Sequence, residues 1–327
     1  MKPVRWGVLG TADIALRQSI PSIQKSETGV VAAIASRSHQ RAGEVAERFS
    51  IPKAYDSYDQ LIEDDQIDAV YIPLPNNLHL PWIEKAARKC KHVLCEKALG
   101  LNEQEGMAVC QIANETCVKI IEAFNARYHP IHARVRDLIQ EGAIGQMRFI
   151  RLSLGWSFAG KPDDYRWRPE LGGGALLDLG GYVTQTSRYL SGSDPISVVA
   201  TAQYHPQTGV DTDIGMMLSF PRGITAFADC GLLSAARNTY EVIGTEGKIH
   251  VETPFGNRAT KRRLTLYDVT GQEVHSETSQ AHQMTLQFEA VSRSIAERAP
   301  SPFPLEESLS LARILDACRL SAQENGR

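Results

Sequence analysis

The chain has no long hydrophobic run, no C-x-x-C pair, no block of like charge and few aromatic residues, and each absence removes a class of function. Across 327 residues no apolar stretch approaches the roughly 20 residues that cross a bilayer, so no membrane partner is expected. The net charge is -3 and aromatics make up 7%, with no basic stretch interleaved with aromatics, so no nucleic-acid partner is expected either. The basic run Lys261-Arg262-Arg263 is short and isolated and reads as a solvated strand edge. Six cysteines (Cys90, Cys95, Cys110, Cys117, Cys230 and Cys318) form no paired motif, and four of them fall in apolar stretches. That is the usage of reduced, mostly buried thiols in a cytoplasmic protein. The nine histidines show no ligand spacing, and no metal is implied. Met1-Lys2-Pro3 runs straight into a strand-like segment, which leaves no room for a secretory signal.

What is present suffices for two cores, with 43% hydrophobic and 22% charged residues. Through about residue 124, short β-branched apolar runs alternate with helical periodicity, the pattern of a parallel sheet flanked by helices. Strands are expected at Arg5 to Leu9, Val30 to Ala35, Ala69 to Ile72, His92 to Cys95 and Val118 to Phe124. Ser57 with Gln60, and Asn102 with Glu105, mark helix starts, because such pairs satisfy the unpaired amides of a first turn. The pattern then changes to a helix from Pro130 to about Glu141, a strand around Met147 to Leu154, a long loop and another helix. Mostly strands follow Pro195, among them Asp211 to Phe220, Ile224 to Asp229, and Tyr240 to Glu252 folded at Gly244-Thr245-Glu246-Gly247. Helices near Met284 to Glu297 and Leu305 to Gln323 finish the chain. The expected fold class is an α/β Rossmann domain with a doubly wound parallel sheet over residues 1–124. Behind it, over 125–327, comes an α+β domain with a large, mostly antiparallel open sheet and helices on one face.

The first strand leads into Gly10-Thr11-Ala12-Asp13-Ile14-Ala15, where a dinucleotide-binding protein carries G-x-G-x-x-G or its alanine-ended variant. Ala12 replaces the middle glycine but is still small. Small residues let backbone amides and the positive end of a helix approach a pyrophosphate. At the end of the second strand, where NAD selectivity usually brings an acidic residue, the chain has Ser36-Arg37-Ser38, with Arg41 one helical turn on. With no carboxylate to repel a 2′-phosphate and a guanidinium to bind it, the site favours NADP without barring NAD.

Four segments carry a wider resemblance: Gly7-Val8-Leu9-Gly10-Thr11-Ala12; Tyr71 to His79 (YIPLPNNLH); Cys95-Glu96-Lys97; and Gly172 to Tyr182 (GGGALLDLGGY). In this order and spacing they resemble the Gfo/Idh/MocA oxidoreductases, the family of glucose-fructose oxidoreductase and inositol dehydrogenase, over nearly the full length. Glu96-Lys97 follows the apolar run Val93-Leu94-Cys95 and so sits at the carboxyl end of a parallel strand, where open α/β sheets place ligands. The resemblance implies a catalytic Lys97 that contacts the nicotinamide side of the cofactor, with Glu96 fixing its geometry. The family's Glu-Lys-Pro here ends in Ala98, which removes a fixed backbone angle. Pro73, Asn76 and His79, after the strand ending at Ile72, are implied to lie beside the nicotinamide half, with His79 not needed as a base.

Asp178 and Tyr182 are four residues apart on an expected helix and so share one face. Much of the family has histidine at the position of Tyr182; tyrosine is typical of the branch resembling glucose-fructose oxidoreductase, xylose dehydrogenase and dimeric dihydrodiol dehydrogenase. The implied chemistry is hydride transfer between the cofactor and a CH–OH or C=O group of a sugar, sugar derivative or vicinal diol. Tyr182 would carry the proton with its pKa lowered by Lys97, and Asp178 would orient a substrate hydroxyl. Lysine as the carrier, with tyrosine only positioning, is the other assignment. Arg127 either faces substrate or forms a domain-bridging ion pair. The loop from Gly155 to Leu171 holds Trp156, Phe158, Tyr165, Arg166, Trp167 and Arg168, which either wall a pocket for a polyhydroxylated small molecule or simply bury the loop. A homodimer or homotetramer through the exposed face of the second sheet is also implied. The competing reading, an NADP-binding regulatory protein without turnover, has no need of Lys97, Asp178 and Tyr182 together.

Overall fold

The computed structural model describes residues 2–158, 163–256, 261–324 and 326. Its strands are β1 (Val4–Leu9), β2 (Gly29–Ala35), β3 (Lys53–Tyr55), β4 (Ala69–Ile72), β5 (His92–Cys95), β6 (Ile120–Glu122), β7 (Met147–Gly155), β8 (Ser197–Tyr204), β9 (Asp211–Phe220), β10 (Ile224–Gly231), β11 (Arg237–Gly244), β12 (Gly247–Glu252), β13 (Lys261–Asp268) and β14 (Glu273–Gln280). Its helices are α1 (Ile20–Lys25), α2 (His39–Phe49), α3 (Tyr58–Glu63), α4 (His79–Arg88), α5 (Glu103–Thr116), α6 (Pro130–Gln140), α7 (Gly181–Ser191), α8 (Gln283–Ala296) and α9 (Leu305–Gln323). The chain divides into two compact units, Met1–Asn125 with Met284–Ala312, and Ala126–Gln283 with Arg313–Arg327.

The first unit is built on a parallel sheet in the order β3-β2-β1-β4-β5-β6. Its central strands read as continuous apolar runs because helices cover both faces; all four residues of β4 are buried. Asn102 Oδ1 accepts from the Glu105 amide at 2.9 Å while Glu105 Oε2 accepts from the Leu101 amide at 2.8 Å, a reciprocal cap that starts α5. Ser57 caps α3 through the Asp59 amide at 3.2 Å. Two features depart from the sequence expectation. The three half-buried residues of β3 carry too little alternation to announce a strand, and Val118 to Phe124 pairs only over β6.

The division also departs from 1–124 and 125–327, because Met284–Ala312 groups with the first unit. The reason is aromatic. Phe288 of α8 meets Trp6 of β1 edge-on at 5.3 Å and Tyr71 of β4 at 5.4 Å, and Trp6 Nε1 donates to Ser292 Oγ at 3.0 Å.

The second unit holds the sheet β14-β13-β12-β11-β7-β10-β9-β8. Every pair is antiparallel except β7 with β10. The β11–β12 hairpin turns where expected, with Ile243 opposite Lys248. α7 packs on β7 and β10. Phe149, Val199, Met217 and Phe227, on β7 to β10, are exposed. All six cysteines are free, but only Cys95, Cys230 and Cys318 are buried; Cys90 and Cys117 are exposed where helices end, which corrects the expectation of mostly buried thiols.

Candidate functional site

β1, β4 and β5 are neighbours, so Gly10, Pro73 and Glu96 follow adjacent strands at their carboxyl ends. Gly10 stands at φ +112, and a Cβ there would lie 3.2 Å from Leu74 Cδ2 and 3.3 Å from the Tyr58 hydroxyl. Its amide donates to the Ala35 carbonyl at 2.9 Å, extending the β1–β2 ladder to the start of the turn. The chain enters helical geometry at Asp13, passes a π-helical turn over Ala15–Ser19 and continues into α1. Thr11, Ala12 and Ile14 are half-buried, and Asp13 is exposed and paired with Arg17 at 2.6 Å. After β2, Ser36 is buried and its hydroxyl accepts from the Ser38 amide at 3.3 Å, whereas Arg37 is exposed. Ser38 Oγ accepts from the Arg41 amide at 3.3 Å to start α2, and the exposed Arg41 guanidinium lies 3.7 Å from Glu44. A turn that a larger residue would fill, a helix start behind it and an exposed guanidinium with no carboxylate at 36–38 fit a 2′-phosphorylated dinucleotide.

Lys97 is anchored through its neighbours. Tyr71 donates to Glu96 Oε1 at 2.7 Å and Ser19 Oγ donates to the Tyr71 oxygen at 2.8 Å, so a buried chain ties Glu96 to the helix that follows the glycine turn. The Lys97 amide donates to Glu96 Oε2 at 3.3 Å, and the Lys97–Ala98 peptide is cis. His79, fully buried, has Nδ1 2.7 Å from the Ala98 carbonyl and Nε2 2.8 Å from the Leu74 carbonyl. Burial drives its pKa down to about 4 against the pull of those carbonyls, and the charge of Lys97 pushes the same way. The neutral imidazole carries a single N–H and so donates to one of these two carbonyls. Asn76, 5% exposed, sits in the turn between Pro75 and α4.

Sequence reasoning passed over Glu122, which is 2% exposed and lies within electrostatic reach of Lys97 and Glu96. Its Oε1 accepts from the Leu99 amide at 3.1 Å, and burial pushes its pKa up to about 7. The apolar run around it gave no hint of a buried carboxyl.

In the second unit Asp178 and Tyr182 stand on one continuous helical segment, but Asp178 lies in a π-helical turn, Leu176–Gly180, rather than in the regular turn first expected. The Asp178 carboxylate is 4% exposed. It accepts from Arg166 Nε at 2.6 Å and a second Arg166 nitrogen at 3.3 Å, and from the Tyr165 hydroxyl at 3.2 Å. Arg166 also pairs with Asp164 at 3.0 Å and stacks on Phe158. Arg168, expected among the residues lining substrate, is 58% exposed and paired with Glu170. Trp167 is buried against His205 at 5.3 Å, and Trp156 lies 6.3 Å from Phe158. Residues 159–162 of this loop lie outside the described ones. The Arg127 guanidinium sits 3.5 Å over the Tyr189 ring.

The glycines before Asp178 are explained by what they admit. A Cβ on Gly174, at φ +109, would fall 2.2 Å from Asp211 Oδ1. That carboxylate accepts from the Leu176 amide at 2.6 Å and so caps the helix that carries Asp178 and Tyr182. The Tyr182 ring packs on Phe255 at 5.7 Å.

Comparison with known proteins agrees with these features. A family model described as the oxidoreductase family, NAD-binding Rossmann fold, matches residues 4–124, and the GFO/IDH/MocA C-terminal domain matches 132–250. The chain is 34% identical to D-xylose 1-dehydrogenase (NADP(+)) 2 of Haloferax volcanii over 97% of both chains. It is 33% identical to trans-1,2-dihydrobenzene-1,2-diol dehydrogenase of Mus musculus, over 76% of this chain and 74% of that one. Among solved structures, a 3-ketoreductase from Actinomadura kijaniata in complex with NADP and TDP-benzene superposes with a TM-score of 0.90 at 32% identity, covering 98% of both. With one family model matched over 4–124, a second over 132–250 and a relative 34% identical over nearly the whole length, the chain belongs to the Gfo/Idh/MocA oxidoreductase family.

Proposed function

We propose that the protein is an NADP-dependent dehydrogenase or reductase acting on a CH–OH or C=O group of a sugar, sugar derivative or vicinal diol. The observation that carries this reading is the joint presence of an anchored Lys97 and an Asp178–Tyr182 helix pinned by Arg166 and Asp211. A protein that only sensed NADP would need neither. The relatives support it by name: a xylose dehydrogenase, a diol dehydrogenase and a ketoreductase held with NADP. In this reading the first unit binds the dinucleotide and the second binds substrate and a further copy of the chain.

Bound NADP supplies hydride acceptance and its reduced form hydride donation. Gly10, Thr11, Ala12, Asp13 and Ile14 form the turn for the pyrophosphate; Ser36, Arg37 and Arg41 take the 2′-phosphate; Pro73, Asn76, His79 and Glu96 shape the nicotinamide end. Tyr182 holds or releases a proton at its phenolic oxygen, and the Lys97 ammonium stabilises negative charge on the substrate oxygen. Asp178 orients a substrate hydroxyl, with Arg166 fixing its rotamer. Arg127, Trp156, Trp167 and Arg168 were expected to line substrate; of the described loop, Trp156, Phe158 and Tyr165 are the half-buried aromatics, and their flat faces fit a sugar ring. The free thiols suit a cytoplasmic location.

The test is a spectrophotometric screen of NADP and NAD against aldoses, polyols and diols, with keto-sugars in reverse. Turnover with NADP that disappears in Lys97→Ala is expected, and Arg37→Ala should weaken NADP by about tenfold or more while sparing NAD. Tight NADPH binding with silence across the panel would favour the regulatory reading, and equal losses for NADP and NAD would remove Arg37 from the phosphate site.

A further inference from the structure

Arg262 belongs to the run read from sequence as a solvated edge, yet it is 1% exposed. Its guanidinium donates to the carbonyl of Pro254, to that of Gly256 at 2.8 Å and to Gln283 Oε1 at 2.5 Å. Its Nε is buried without a partner, and no carboxylate lies within ion-pair distance of it among the described residues. A buried cation without a counter-ion is destabilising, and burial drives its own pKa down to about 10. Any neighbour able to become anionic relieves that cost. Two phenols lie within its electrostatic reach, Tyr240 and Tyr182.

Tyr240 is 1% exposed, its hydroxyl lies 3.2 Å from His132 Nδ1, and burial drives its pKa well up. It stays a neutral phenol. Tyr182 is only half-buried, and its ring packs on Phe255, the residue between the two carbonyls that Arg262 holds. Among the described residues, the charged or titratable groups in this cluster include His132 and, further out, His129, Arg127 and Tyr189. His132 is neutral, held down to about 3 by burial. Arg127 lies on the Tyr189 ring, and Asp178, one turn before Tyr182, is balanced by Arg166.

We infer that Arg262 is a positioning residue for Tyr182: its unbalanced charge stabilises the phenolate, and its hydrogen bonds hold the Pro254–Gly256 segment against the Tyr182 ring. The inference deepens the proposed function, since Tyr182 enters turnover only through that reading. It places within the second unit itself a positive charge that the sequence assigned to Lys97 alone.

Charge and scaffolding are separated by two variants. Arg262→Lys keeps the charge and loses the fork; Arg262→Gln keeps amide donors and loses the charge. The titration of Tyr182 is read from tyrosinate absorbance as the difference between each protein and its Tyr182→Phe counterpart. Arg262→Gln should raise the midpoint by about one pH unit or more, a tenfold loss of phenolate at fixed pH, while Arg262→Lys stays near wild type. The base-dependent limb of the kcat/KM profile for oxidation should move up with it. An unmoved midpoint in Arg262→Gln, or equal shifts in both variants, overturns the inference. Should Arg262→Gln not melt cooperatively, the midpoint of Tyr182 in Lys97→Ala decides: a value below the ordinary ~10 supports the inference and a value at or above it overturns it. If the midpoint moves while the kcat/KM profile does not, the coupling stands and the proton-carrier role of Tyr182 falls.

Discussion

Glu122 shows how a single buried group makes stability depend on pH. Its carboxyl, pushed up to about 7 from an ordinary value of 4.5, keeps its proton in the folded chain over a range where the unfolded chain has released it. Folding therefore takes up a proton, and the cost of burying this group is absent below pH 4.5, grows through the interval and is complete above about 7, at roughly 3 kcal/mol. His79 and His132, held down to about 4 and about 3, act with the opposite sign in part of the same interval, because the unfolded chain binds the proton there. The contribution of Glu122 is thus read as a difference. Glu122→Gln should gain stability relative to wild type between pH 5 and pH 8, measured as the shift in thermal midpoint, and a shift that is the same at both pH values would refute the assignment. Sequence could not supply this residue or Arg262. Each sits in a stretch whose neighbours predict a strand, and whether a charged side chain on a strand meets water or core depends on partners far away in the chain.

Helix starts were the most legible elements, because their signal is local: Ser57, Asn102 and Glu105 make bonds within a few residues of themselves. The helix bearing Asp178 and Tyr182 is different, since its cap is the Asp211 carboxylate from the start of β9. Its three preceding glycines were visible, but the group they make room for was not. Gly174→Ala should be destabilising by about 3 kcal/mol, combining left-handed strain with loss of the cap. Gly192→Ala, at φ +76 with nothing near its Cβ, should lose only about 1 kcal/mol. Chemical denaturation of both variants checks the difference, and equal losses would show that Asp211 gives way freely. The π-helical turns at Ala15–Ser19 and Leu176–Gly180 also escaped the sequence, because i,i+4 periodicity does not register a single wide turn.

Across the whole molecule, the class of each sheet, parallel in the first unit and mostly antiparallel in the second, was legible in the pattern of apolar runs, whereas the strand orders were not. The second sheet nevertheless leaves apolar side chains uncovered in one row: Val199 opposite Met217, and Met217 opposite Phe227. Phe227 is 44% exposed and lies 6.2 Å from Phe149. Such a row fits the proposed contact between copies of the chain. Light scattering at micromolar concentration should give a dimer or tetramer, and Phe227→Glu should shift it toward monomer with the melting midpoint of the subunit retained; a wild-type monomer would end the proposal. The boundary expected at residue 124 missed the return of Met284–Ala312 to the first unit, since nothing in the composition of α8 says that Phe288 belongs with Trp6 and Tyr71. That return has a consequence for the order of synthesis. The segment that completes the first unit leaves the ribosome more than a hundred residues after β6, so the nascent unit waits with Trp6 and Tyr71 lacking their aromatic partner. A chain stopped after residue 125 would keep that gap permanently, and the part that reads most clearly as a self-sufficient domain is the part that depends on a segment made long after it.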